Sequence, residues 1–192
     1  MAKRLLPRAI SPLFATGGNG VTDVERLFRT YNAALVRYLT RRLGDRDWAE
    51  EVAQETFVRA LRQTSIQNER AWLFAVATNL VRDEARKDMR RRKHLALLAE
   101  QERDEIVEPE ETSIERAQEA ALARKAVDGL AERDRLALLM REEGLDYNEI
   151  AEALELSPGS VGTTLSRARR RLVESYEALQ KERELREKNA AS

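Results

Sequence analysis

The segment over residues 144–172, GLDYNEIAEALELSPGSVGTTLSRARRRL, constrains the fold more than any other part of the chain. Asp146 followed by Glu149 forms a capping-box pattern, which predicts that a helix begins there. Ser157 followed by Pro158 predicts a second helix start, because serine caps free amides and proline has no amide to satisfy. The segment is therefore predicted to form two short helices joined by a tight turn, as in a helix-turn-helix.

The second of these helices has an apolar face and a polar face. The apolar residues recur at helical spacing and are expected to face inward; they are Val161, Leu165, Ala168 and Leu172. The polar face carries hydroxyls near the helix start and arginines near its end. This pattern suits the DNA major groove, where hydroxyls contact base edges and arginines hold phosphates. The residues expected to contact DNA are Ser157, Ser160, Thr163, Thr164, Arg167, Arg170 and Arg171.

A helical hairpin without DNA contact is the alternative, because any two amphipathic helices with a turn give part of this pattern. Ala151 favours the DNA-binding reading, since a close helix crossing needs a small side chain at that point. Glu155 departs from the ideal pattern, because glycine often accepts the left-handed backbone expected in the turn.

Charge is abundant and unevenly distributed. Of the 192 residues, 35% are charged and 5% are aromatic, which favours an all-α protein with small cores. Lysine plus arginine balance aspartate plus glutamate at 34 each, so the net charge alone predicts no nucleic-acid partner. However, a basic block over 82–93 is followed by an acidic block over 100–111, and this segregation indicates separate partners for separate segments.

Several protein classes are excluded by what the sequence lacks. The absence of cysteine excludes disulfides and thiolate metal sites and fits a reducing cytoplasm. No apolar run approaches the length of a membrane span, so we expect no membrane insertion. Pro7 and Pro12 interrupt the N-terminal stretch, which is interpreted as a tail and not as a signal peptide. With His94 as the single histidine and no phosphate-binding loop, we expect no metal, no cofactor and no enzymatic activity.

Capping patterns and apolar periodicity predict the remaining helices. Thr22 with Glu25 and Asp47 with Glu50 are predicted to open the first two helices, and Gly44 to end the first.

A polar loop over 62–68 precedes a third predicted helix that runs into the basic block. In that helix Trp72 shares the register of Val76 and Leu80, so it is interpreted as a core residue and not as a base-stacking platform.

The predicted architecture is all-α, with two small helical domains joined by a flexible acidic linker. Helical periodicity fades where acidic residues dominate, and Pro109 adds a break there. The predicted divisions are a flexible N-terminal tail over 1–20, a helical domain over 21–95, the linker over 96–111, the helix-turn-helix domain over 112–178 and a charged C-terminal tail over 179–192.

Three motifs in this order resemble the extracytoplasmic-function sigma factors of bacterial RNA polymerase: LGDRDWAEEVAQETFVRAL, WLFAVATNLVRDEARKDMRRRK and EGLDYNEIAEALELSPGSVGTTLSRARRRL. The resemblance implies a cytoplasmic subunit that binds core polymerase, recognises promoter DNA and promotes its melting, with an anti-sigma factor as a further partner. A free-standing helix-turn-helix transcriptional regulator is the alternative. Such a regulator would not need the block over 45–86.

The resemblance assigns roles to two surfaces of the domain over 21–95. Glu51, Gln54 and Glu55 would meet the polymerase, and an acidic helix face opposite an apolar stripe suits a basic partner. A merely solvated charged face is the alternative. The residues that would hold the opened strand of the minus-ten element, in a polar loop and the helix behind it, are Arg62, Asn68, Arg70, Asn79, Arg82 and Arg86.

The domain over 112–178 resembles the family's reader of the minus-thirty-five element. It departs from the common form, Gly-Thr-Val followed by a basic residue, Ser and Arg, because the stretch 159–164 reads GSVGTT and loses two cationic positions. Gly162 also weakens the helix by up to about 1 kcal/mol relative to alanine. The resemblance therefore implies the groove position of this helix without the usual arginine contacts. The linker resembles a segment that threads toward the polymerase active centre, and a disordered spacer is the alternative.

Overall fold

The computed structural model describes the backbone of residues 23–95 and 111–190, and the side chains of 23–85, 118–186, 188 and 189. Within these ranges the chain forms seven α-helices and no strand, which confirms the predicted all-α class. The helices are α1 (Val24–Leu43), α2 (Arg46–Ala60), α3 (Glu69–Leu95), α4 (Glu111–Asp128), α5 (Glu132–Glu142), α6 (Tyr147–Ala153) and α7 (Pro158–Ala190). The predicted tail over 1–20 and residues 96–110 of the predicted linker over 96–111 lie outside the described residues, and Glu111 is the first residue of α4.

The structure divides into two units, each with its own buried core. The first unit ends at Leu80 within α3, and the second begins at Val81. The domain boundaries near 95 and 112 stay predictions. None of the helices in the described part of the chain is long and apolar enough to cross a membrane.

Aspartates open the first two helices, but not at the residues predicted. Asp23 Oδ1 accepts a hydrogen bond from Arg26 N, and Asp45 Oδ1 accepts one from Trp48 N, each at 3.0 Å. The predicted caps at Thr22 and at Asp47 are therefore wrong. Several adjacent residues can cap a helix, and the register of the apolar face decides among them.

The predicted end of α1 is correct. Gly44 adopts a left-handed backbone with φ 75°, and its N–H donates to Thr40 O at 2.8 Å. Glycine has no Cβ to clash in that conformation, so the residue marks the helix end without strain.

The first unit has an apolar core that encloses a small polar network. The ring of Tyr38 lies 5.0 Å from that of Phe74, and its hydroxyl shares a 2.7 Å hydrogen bond with Thr78 Oγ1. Arg42 also donates to the carbonyl oxygen of Thr78 at 3.2 Å. The polar groups of this network thus bond to one another, as a stable interior requires. Trp72 is 5% exposed, which confirms its predicted place in the core.

In the second unit, α4, α5 and α6 all pack against α7. The predicted end of the domain at 178 is not a helix end, because α7 continues through most of the predicted charged tail to Ala190. This stretch contains good helix formers and an i,i+4 pair between Arg186 and Glu182, which both favour helix. The largest fully buried side chains of this unit are Leu136, Met140, Leu145, Ile150 and Leu165.

Candidate nucleic-acid interface

The helix-turn-helix consists of α6, a turn over 154–157 and α7. As predicted, Asp146 and Glu149 form a capping box: Asp146 Oδ1 accepts from Glu149 N at 2.8 Å, and Glu149 Oε2 accepts from Asp146 N at 2.7 Å. The start of α7 at Pro158 also agrees with the prediction. Both helix starts are therefore encoded by local sequence.

The turn after α6 has the hydrogen bonds of a Schellman motif. Leu156 N donates to Ala151 O at 2.7 Å, and Glu155 N donates to Glu152 O at 3.3 Å. Glu155 itself has φ 53°, a left-handed conformation that costs a residue with a Cβ more than it costs glycine. The predicted departure from the ideal turn is thus located at the residue where it was expected.

One face of α7 is buried, and it is wider than predicted. Val161, Leu165 and Ala168 are fully buried as expected, but Thr164 is also buried, at 4% exposure. The prediction that Thr164 faces outward is therefore wrong. Thr164 lies four residues before Ala168, so both occupy the same side of the helix.

The exposed face of α7 is consequently shifted from the predicted one. Its outermost stripe follows helical spacing and consists of Gly159, Thr163, Ser166 and Arg170. Ser166 was not among the predicted residues, although its spacing from Thr163 could have indicated it. Ser160, which was predicted to face outward, is half-buried and lies at the edge of this stripe.

The hydroxyls at the start of α7 bond back to the helix. Ser160 Oγ donates to Ser157 O at 2.8 Å, and Thr163 Oγ1 donates to Ser160 O at 2.9 Å. Each oxygen keeps lone pairs that can accept a hydrogen bond. In this rotamer the hydroxyls present acceptors to an approaching ligand.

The two glycines at the start of α7 have different surroundings. A Cβ on Gly159 would meet nothing within 4 Å, and a Cβ on Gly162 would lie 3.6 Å from Tyr147 Cε2. Neither glycine is required by crowding. The open space at Gly159 leaves the helix backbone accessible there.

The three predicted arginines of α7 have different surroundings. Arg167 Nε donates to Asp134 Oδ2 at 2.9 Å and its Nη2 donates to Oδ1, while Arg171 Nη1 lies 3.5 Å from Oδ2. Arg170 is 72% exposed, and among the described side chains it forms an ion pair only with Glu174, at 3.8 Å. Arg170 is therefore the most available cation of the three.

The Asp134 carboxyl is 1% exposed and lies in the first turn of α5. Its pKa is lowered mainly by the hydrogen bond from Arg167, although burial opposes the shift. The same hydrogen bond raises the pKa of Arg167. The sequence patterns did not indicate Asp134, because its partner Arg167 lies 33 residues further along the chain.

The residues predicted to hold an opened strand are divided between a loop and α3. Arg62 is exposed in the loop, whereas Arg70 is half-buried within the first turn of α3. Asn68 Oδ1 accepts from Ala71 N at 3.4 Å, so this side chain caps α3. The loop therefore ends where the predicted loop over 62–68 ends, because α3 begins at Glu69.

Asn79 and Arg82 lie three residues apart on α3, on the same side of that helix. Both are half-buried, and Arg82 Nε donates to Glu132 Oε1 at 2.9 Å. Arg86 continues the series by position, but its side chain lies outside the described residues.

The predicted polymerase-binding residues of α2 lie together on its solvent side. Glu51, Gln54 and Glu55 are all exposed. Glu55 accepts from Arg59 Nε at 2.9 Å. The opposite side of α2 is buried by Ala49, Val52, Ala53, Thr56, Phe57 and Ala60.

A capped helix-turn-helix whose second helix shows a polar, partly cationic face defines a helical DNA-binding protein. Comparison with known families shows which kind of DNA-binding protein this is. A Sigma-70 region 2 model matches residues 27–91, and a Sigma-70 region 4 model matches residues 120–172. The region 2 match disfavours the free-standing regulator, which would have no need of that segment.

Characterised relatives agree with these matches. The RNA polymerase sigma factor YlaC of Bacillus subtilis (strain 168) is 30% identical over 152 residues, covering 77% of this chain and 88% of the relative. The ferric citrate uptake sigma factor FecI of Escherichia coli (strain K12) is 30% identical over 148 residues, covering 75% and 85%. The chain belongs to the extracytoplasmic-function sigma factors: it binds RNA polymerase core and promoter DNA and acts in transcription initiation.

The fold has a solved counterpart. The sigma factor RpoE, in its complex with the anti-sigma factor NepR from Bartonella quintana, matches with a TM-score of 0.62 at 22% identity. The match covers 82% of this chain and 98% of that one. At this identity the similarity establishes the shared fold.

Proposed function

We propose that three surfaces of this sigma factor divide the work of initiation. The exposed face of α2 binds core polymerase, the loop before α3 and the middle of α3 hold the opened minus-ten strand, and α7 reads the duplex minus-thirty-five element. The observation that carries the proposal is the outward stripe of α7, which combines open backbone, hydroxyl acceptors and an available arginine.

For α7, the side chains support contact with a groove edge. Thr163 and Ser166 offer oxygens that can accept from the amino groups of cytosine or adenine in the major groove. Arg170 lies one to two turns further along and suits a phosphate. Thr164 is excluded from this role by its burial.

Two substitutions test the roles on α7. Arg170→Ala should weaken binding to all duplexes alike and reduce the slope of log affinity against log salt by about one, because one phosphate contact is lost. Thr163→Ala should instead change preference at one or two base pairs. Binding of the full-length chain to a duplex library over a salt series measures both. A uniform loss from both substitutions would contradict the division between base reading and phosphate contact.

For α2, charge supports a basic partner. No described side chain forms an ion pair with Glu51, whereas Glu55 forms an ion pair with Arg59. Reversing both to lysine should weaken binding to core polymerase by about tenfold or more, a change of roughly 1.4 kcal/mol. Glu25→Lys is the matched control, because Glu25 is an exposed α1 residue paired only at i,i+4 with Arg29. Equal affinity of the double variant and the control would remove this face from the mechanism.

For α3, the spacing of Asn79 and Arg82 supports contact with one stretch of single strand. Substituting both by alanine should impair transcription most on fully paired promoters. A template whose minus-ten region is already unpaired should recover part of the loss, because melting is then no longer required. Wild-type activity of this variant on paired DNA, with polymerase binding unchanged, would contradict the assigned role.

We also propose that the protein acts in the cytoplasm, alongside its polymerase, without catalytic chemistry of its own. An anti-sigma factor is a proposed partner, because two sigma factors of similar fold were solved in complex with one: RpoE with NepR, and CnrH with the cytosolic domain of CnrY. Co-purification from the native host would test it.

A further inference from the structure

The Asp134 side chain links α5 to the middle of α7. An acidic residue in the first turn of α5 is favoured by the helix dipole, yet a carboxylate that is 1% exposed also needs charged partners. Arg167 supplies them by engaging both carboxylate oxygens, and Arg171 adds a longer contact at 3.5 Å. The link therefore ties the duplex-facing helix to its neighbour at a defined point.

The same contact occupies the polar edge of Arg167 that would meet a phosphate. A phosphate would have to draw this guanidinium away from a buried carboxylate, which would keep only the longer 3.5 Å contact with Arg171 among the described residues. Weakening the pairing of a buried charge in this way is unfavourable. Arg167 is 42% exposed, whereas Arg170 is 72% exposed and, within the described part of the chain, has only the 3.8 Å ion pair with Glu174. The two arginines are thus chemically alike, but Arg167 is bonded to a buried carboxylate and Arg170 is exposed.

We propose that Asp134 is a positioning residue for duplex recognition: through Arg167 it orients α7 on α5, and it withdraws Arg167 from phosphate binding. Arg167 is then a positioning residue as well, and Arg170 carries the phosphate contact. The inference rests on the proposed role of α7 as the duplex reader.

The test separates orientation from phosphate contact. Wild-type protein selects a duplex from a random-sequence library, and a scrambled duplex of the same composition serves as the non-specific probe. Affinities of the full-length chain for both duplexes are measured over a salt series for wild type, Arg167→Ala, Arg170→Ala and Asp134→Asn. Circular dichroism checks the helix content of each variant.

Arg170→Ala should reduce the salt slope by about one and keep the ratio of selected to scrambled affinity. Arg167→Ala should keep the slope and lower that ratio about tenfold, because the reading helix is no longer held in register. Asp134→Asn should also lower the ratio, and should steepen the slope because the released arginines can reach phosphates. If Asp134→Asn does not fold, the contrast between the two arginine variants still decides.

Three results would overturn the proposal. A salt slope reduced equally by Arg167→Ala and Arg170→Ala would make Arg167 a phosphate contact. A lower melting temperature of Arg167→Ala with an unchanged affinity ratio would make the pair merely structural. A wild-type protein that selects no duplex sequence would overturn the proposed role of α7 as well, whereas the first two results leave that role intact.

Discussion

The two units bury polar groups in different ways. In the first unit, the polar network around Thr78 relies on a neutral hydroxyl pair with Tyr38 and on a backbone carbonyl that accepts from Arg42. In the second unit, the buried Asp134 relies on an ion pair with Arg167. Neither of these two hydrogen bonds uses a carboxylate, so we expect their contribution to stability to depend little on acid. The ion pair in the second unit depends on a carboxylate remaining charged.

The largest expected effect comes from disrupting apolar packing in the first unit. Trp72→Ala should cost about 3–5 kcal/mol of stability, because it removes a large buried side chain and leaves a cavity. Unfolding can be followed by fluorescence, since both tryptophans of the chain, Trp48 and Trp72, lie in this unit and Trp48 remains as reporter. If stability were unchanged and binding of single-stranded DNA were lost, Trp72 would be a base-stacking platform and not a core residue.

A smaller effect is expected from the neutral network. Tyr38→Phe removes one hydroxyl and leaves Thr78 Oγ1 buried without this partner, which should cost about 1–3 kcal/mol. The loss should be the same at neutral and mildly acidic pH. Chemical unfolding at several pH values checks this, and a cost that changes with pH would show that the network is coupled to a titrating group.

The charged link in the second unit should behave differently in acid. The pKa of Asp134 is lowered in the folded state, so the folded chain binds fewer protons than the unfolded chain, and stability rises with pH. The contribution is complete above the unfolded pKa of about 4 and is lost as pH falls through the lower folded value. The protection factors of α5 and α7 amides against hydrogen exchange, corrected for the pH dependence of intrinsic exchange, should therefore fall in acid.

Asp134→Asn should remove most of this acid sensitivity and lower stability at neutral pH. Asp128→Asn is the matched control, because Asp128 forms an ion pair with Arg135 in the same unit but is 50% exposed. An exposed pair contributes little. Equal effects of the two substitutions would mean that burial gives Asp134 no special weight.

The contrast between the units also explains what the sequence could predict. Helix boundaries at Gly44, Asp146 and Pro158 follow from local signals, because the residues that decide them lie within a few positions of each other. The prediction of Thr22 as the cap of α1 failed, since the next residue, Asp23, is a chemically similar cap. Burial of Trp72 was predictable because its helical register places it among apolar residues.

Long-range pairs were beyond the reach of sequence patterns. Tyr38 and Thr78 are 40 residues apart, and Asp134 and Arg167 are 33 apart. Their partners are chosen by how the helices pack, which spacing along one helix does not reveal. The same limit explains why the burial of Thr164 was not predicted. The width of the buried stripe on α7 depends on the helices packed against it, so the amphipathic pattern of α7 alone underestimates that width.

The smallest expected effect concerns the turn that sets α7 after α6. Glu155→Gly should stabilise the second unit by up to about 1 kcal/mol, because φ 53° is a left-handed backbone that glycine adopts without a clashing Cβ. Glu152→Gly is the control: it places glycine inside α6 and should cost about 1 kcal/mol instead. Thermal unfolding of both variants, followed by circular dichroism, measures the opposite signs. Because the backbone of the turn is unchanged by Glu155→Gly, affinity for the selected duplex should stay at the wild-type value. A destabilised Glu155→Gly variant would show that the Glu155 side chain contributes more to the second unit than its backbone strain costs.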